Sequence, residues 1–73
     1  MQSPLDDVDW YEYWCEYFEP HLLVCSIMRR RGVWSWMVKV SGMDKRMTSE
    51  AESLLECRCA ISDAIQSIKS ELA

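Results

Sequence analysis

The stretch "HLLVCSIM", His21 to Met28, constrains the fold more than any other. Leu23, Cys25 and Ile27 alternate with Leu22, Val24 and Met28, so as a strand it is apolar on both faces. A sheet packed on one side keeps its other face polar, so this segment asks for cover on two sides. The chain has only 73 residues with which to provide it. That length makes one domain, residues 1–73, near the lower end of what a hydrophobic core can hold without disulfides, metal or a partner. With 49% apolar and 27% charged residues the composition is that of a globular domain, not a disordered segment.

Downstream, "VWSWMVKV" places Trp34, Trp36, Val38 and Val40 on one side and Ser35, Met37 and Lys39 on the other. The basic connection Arg29 to Gly32 offers a glycine for a tight turn, so the two segments form a hairpin. "SGMDK" turns the chain again, and "RMTSEAE" can return as a short edge strand with Met47, Ser49 and Ala51 facing inward, which relieves the marginal stability of an isolated hairpin. From Leu54 onward, Cys57, Ile61, Ala64, Ile65, Ile68 and Leu72 recur at helical spacing. Both Ser49 with Glu52 and Ser53 with Glu56 fit the S-x-x-E capping box, so the pattern allows either start for this helix.

The segment "DWYEYWCEYFEP", Asp9 to Pro20, holds six of the eight aromatic residues. Trp10, Tyr13, Trp14, Tyr17 and Phe18 fall at i, i+3, i+4, i+7 and i+8, with Glu12, Glu16 and Glu19 along another side, which predicts a helix. Asp6 or Asp7 would cap it and Pro20 would end it. Such a helix could cover the second face of "HLLVCSIM". The expected architecture is therefore α+β: a short N-terminal helix, a three-stranded antiparallel meander, and a long C-terminal helix packed on the sheet.

No run approaches the roughly 20 apolar residues that span a bilayer, and "MQSPLDDVDW" has neither the basic region nor the apolar core of a signal peptide. A cytoplasmic location is expected, and with it reduced cysteines. Cys57 and Cys59 diverge by about 200° on a helix, a poor geometry for a shared tetrahedral metal. The four cysteines read as small apolar fillers, with no metal site and no cofactor. The lone His21 has no Ser or Cys placed to form a nucleophile pair, so no enzyme activity is expected.

The net charge of −4 is segregated: residues 1–19 carry six acids and no base, residues 29–46 six bases against Asp44, and residues 47–73 five acids against two bases. "GVWSWMVKVSG" followed by "AESLLECRCAISDAI" resembles the W-x-W hairpin, glycine turn, short strand and helix of many small phage and prophage accessory proteins, anti-CRISPR proteins among them. The resemblance covers roughly residues 32–68, carries no catalytic residue, and implies a class of origin. On that basis the expected function is a small phage-encoded inhibitor that binds a host protein or nucleoprotein complex through its basic groove, acting in the host cytoplasm. Trp10, Tyr11, Glu12, Trp14, Glu16 and Glu19 are the expected partner-binding residues, rings serving as anchors and acids as steering charges. The alternatives are a nucleic-acid module using Arg29, Arg30, Arg31, Lys45 and Arg46, and a homo-oligomeric structural protein; a homodimer is expected from the doubly apolar strand.

Overall fold

The computed structural model describes residues 7–73. Four strands and one helix follow in chain order: β1 (Val8–Phe18), β2 (His21–Arg30), β3 (Val33–Val40), β4 (Arg46–Ala51) and α1 (Leu54–Leu72). The strands form one antiparallel sheet in the order β1-β2-β3-β4, a simple meander, with α1 laid across one face. Among the described residues no helix is long and apolar enough to cross a membrane.

The predicted hairpin closes through Arg31 and Gly32, whose φ values of 51° and 78° meet the positive-φ requirement of a two-residue type I′ connection. Its register pairs Ile27 with Trp36 and Cys25 with Val38, so one apolar row runs across both strands. β4 adds Ala51, Ser49 and Met47 opposite Trp34, Trp36 and Val38, the inward set that the sequence assigns to it. Against this face α1 presents Cys57, Ile61, Ala64, Ile65 and Ile68, which close the core with Leu23, Cys25, Ile27, Trp36, Val38 and Val40.

The two candidate helix starts are resolved in favour of Ser53. Its Oγ accepts the Glu56 backbone N–H at 3.1 Å, while the Glu56 carboxylate accepts from the Glu52 backbone N–H at 2.8 Å. Ser49 instead pairs with Trp36 within β4.

The N-terminal helix does not form. Trp10 to Phe18 is strand, paired with β2 from Phe18 opposite His21 to Trp10 opposite Arg29, with a bulge at Asp9. The sheet thus has four strands where three were expected, and Pro20 sits in the β1–β2 turn instead of ending a helix. Asp7 caps nothing: its carbonyl and carboxylate accept from the Arg31 backbone and guanidinium at 3.3 and 2.8 Å; Asp6 lies outside the described residues. The reason is a spacing that suits both periods. Trp10, Trp14 and Phe18, like Glu12 and Glu16, recur every four residues, which keeps each set on one side of a 3.6-residue helix and equally on one face of a strand. Aromatic preference for pleated structure and the unpaired edge of the apolar β2 then decide for strand.

Candidate functional site

β1 therefore does not cover the second face of β2; it widens the sheet. The outer face carries Tyr11, Tyr13, Cys15 and Tyr17 on β1, then Leu22, Val24, Ser26 and Met28, then Val33, Ser35, Met37 and Lys39, then Arg46, Thr48 and Glu50. Nothing among the described residues packs over it. All three tyrosines of the chain stand on this face, 55%, 60% and 69% exposed in chain order. They make a ridge along one side. Inward from it the side chains shorten: the row that begins at Tyr13 continues through Ser26, Met37 and Thr48. The result is a shallow depression of about 300 Å³ bounded by Tyr11, Met28 and Met37, and a second of about 330 Å³ between Met28, Val33 and Arg30. A side-chain hydrogen bond between Tyr13 and Cys15 is the leading cause of a raised Tyr13 pKa, so the Tyr13 phenol keeps its proton at ordinary pH.

The six expected partner-binding residues do not form one surface. Trp10, Glu12, Trp14 and Glu16 face the helix side, Tyr11 stands on the opposite face, and Glu19 is exposed in the β1–β2 turn. Trp14 is drawn against the core, and Trp10 meets Trp34 edge-on with centroids 6.3 Å apart. Because α1 lies mainly over the other three strands, β1 is only partly covered, and mixed rings and acids are tolerated there: Glu12 accepts from Arg58 at 2.7 Å and Lys69 sits 5.5 Å from the Phe18 ring centroid. Between β1 and α1 lies a groove of about 220 Å³, walled by Trp14, Ile61 and Ile65 and ringed by Glu16, Arg58 and Lys69.

The five alternative bases divide between the two ends of the sheet. Arg29 to Arg31 lie at the β2–β3 turn, Lys45 and Arg46 at the start of β4. Arg29 is held 5.6 Å over Trp34, Arg31 by Asp7 and Lys45 by Glu71. Only Arg30 and Arg46 fall on the outer face.

Two of the four cysteines are the expected fillers, Cys25 and Cys57, both fully buried; Cys15 and Cys59 are exposed. Among the described residues no group of three His, Cys, Asp or Glu side chains comes together to hold a metal.

Tyr13 and Tyr17 are the functional candidates that the helical reading assigns to a core stripe. A signal for them exists in the sequence: read at a period of two, Tyr11, Tyr13, Cys15 and Tyr17 form a consecutive uncharged set. No family model, curated protein or solved structure matches the chain.

Proposed function

We propose that this is a small non-enzymatic docking protein that acts by covering a surface of another protein with the outer face of its sheet. The observation that carries the reading is a sheet face that no described element packs over, with three tyrosines 55–69% exposed on it. Tyrosine offers a large, stiff, amphipathic contact at low entropic cost, and residues of this kind dominate binding energy where a pocket receives them. The concrete form is a phage-encoded inhibitor of a host nucleic-acid-handling complex, supported by the W-x-W hairpin resemblance and the net charge of −4. In that form the rings anchor, while the exposed Asp9, Glu16 and Glu19 steer approach to a basic target.

A second reading has one observation in its favour: Lys39, Arg30 and Arg46 share the tyrosine face, and rings on an open sheet beside bases can stack unpaired nucleotides. A tagged chain and its Tyr11→Thr/Tyr13→Thr/Tyr17→Thr variant, used side by side for partner capture and for titration of a labelled single-stranded oligonucleotide, separate the two. The docking reading expects a protein retained by the wild type, lost by the variant, and no oligonucleotide binding at moderate salt. Oligonucleotide binding that salt abolishes, with no protein retained, would replace it by the second reading.

A further inference from the structure

We infer that β1 pairs with β1 of a second copy about a two-fold axis, joining two sheets into one of eight strands with a continuous tyrosine face. The two edges of the sheet differ sharply. β4 is six residues long, begins at Arg46 and carries Glu50, features that blunt an edge. β1 is eleven residues long, holds six aromatic rings and no Lys, Arg or Pro, and is interrupted only by the bulge at Asp9.

The acids on β1 are what point to a second copy. Inward-facing charges usually discourage edge pairing, but Glu12 and Glu16 alternate with Trp10, Trp14 and Phe18 in steps of two. When an antiparallel strand pairs with itself, residues opposite each other have numbers that sum to twice that of the residue on the axis. With Glu12, Trp14 or Glu16 on the axis, an acid always faces an acid. With Tyr11, Tyr13 or Cys15 there, every inner-face acid within the strand that has an opposite residue faces an apolar one. Among the six registers centred from Tyr11 to Glu16, the spacing therefore removes three and leaves three free of like-charge opposition within the strand. Of those left, only the register centred on Tyr13 matches the ends of the strand, Val8 and Phe18, with Trp10 to Glu16 pairing clear of the bulge at Asp9. It sets Glu12 opposite the partner's Trp14, Trp10 opposite the partner's Glu16 and Tyr11 opposite the partner's Cys15. The same surface patch serves both copies, as an isologous contact requires.

The pairing also enlarges the docking surface. Four strands spaced about 4.8 Å apart and about eight residues long offer a face of roughly 500 Å², short of the roughly 800 Å² per partner of a standard interface. Two joined sheets exceed it. This enlargement rests on the function proposed above; the strand pairing does not, and it is tested with no other protein present.

The test is light scattering across a concentration series, combined with cysteine crosslinking in a Cys59→Ser background, which leaves Cys15 as the exposed thiol. In the Tyr13 register Cys15 lies about 13 Å along the strand from its own copy, four residues at about 3.3 Å each, far beyond disulfide reach, whereas a cysteine at position 11 faces the partner's Cys15. The expected result is a species of twice 8.6 kDa, a disulfide dimer of Tyr11→Cys/Cys59→Ser on mild oxidation, and none of Cys59→Ser alone. A monomer at every concentration overturns the pairing. So does a dimer in which Tyr11→Cys/Cys59→Ser fails to crosslink, or one in which Cys59→Ser crosslinks through Cys15 itself. Because Tyr11 is 55% exposed, a folded variant is expected, and circular dichroism confirms it before oxidation.

Discussion

Tyr13 and Trp14 are neighbours in the chain and end on opposite faces of the sheet, one 60% exposed and the other packed on the core. That division sets what single substitutions should do. Ile27 and Ile68 are fully buried, so truncating either to Ala should cost about 2–5 kcal/mol in urea unfolding, whereas Tyr17→Thr should stay within about 0.5 kcal/mol. The thiols divide in the same way. Iodoacetamide should modify Cys15 and Cys59 in the native protein and reach Cys25 and Cys57 only after unfolding; four equally fast thiols would mean that the core is not closed as described. Burial, reinforced by Glu16 and Cys15 nearby, pushes the Cys25 thiol from an ordinary 9.0 up to about 11, and burial with Glu56 nearby raises that of Cys57. Below pH 9 both folded and unfolded chains hold the Cys25 proton and stability is unaffected. Between 9 and 11 the unfolded chain releases the Cys25 proton while the folded one keeps it, so the Cys25 contribution falls as pH rises through that window. Urea midpoints should decline there, more shallowly in Cys25→Ala.

Among the elements, α1 makes the simplest test, because two serines compete to start it. Ser53→Ala should destabilise the protein by about 1 kcal/mol through loss of the cap, while Ser49→Ala, a strand position, should change little. The opposite ranking would place the helix start four residues earlier. α1, the β2–β3 hairpin and the inward set of β4 are legible in the sequence because each follows a single period: Ile61, Ile65 and Ile68 suit only a helix, and Trp34, Trp36 and Val38 only a strand. β1 is not, because its repeat of four satisfies both periods, and what settles it is the open edge of β2, a tertiary fact. The site inherits that error. Trp10, Tyr11, Glu12, Trp14 and Glu16 are correctly placed on one element, but a helix would show the rings and acids as adjacent stripes, whereas the strand sends Tyr11 to one face and the acids to the other.

At the scale of the molecule, cover is the deciding quantity. One helix can shield one face of four strands, and α1 shields chiefly β2, β3 and β4. The doubly apolar β2 then shows Leu22 and Met28 half-buried on a face that no remaining described element reaches. Apolar side chains on a face that no described element covers are explained if another protein covers them. Whether the tyrosine face is where this happens is decided by the Tyr11→Thr/Tyr13→Thr/Tyr17→Thr protein, measured for unfolding midpoint and partner capture together. Threonine keeps the strand preference while removing the rings. A folded protein with a nearly unchanged midpoint that no longer retains its partner is expected; a folded variant that captures the same partner as well as the wild type would show that the tyrosine face is not the docking surface.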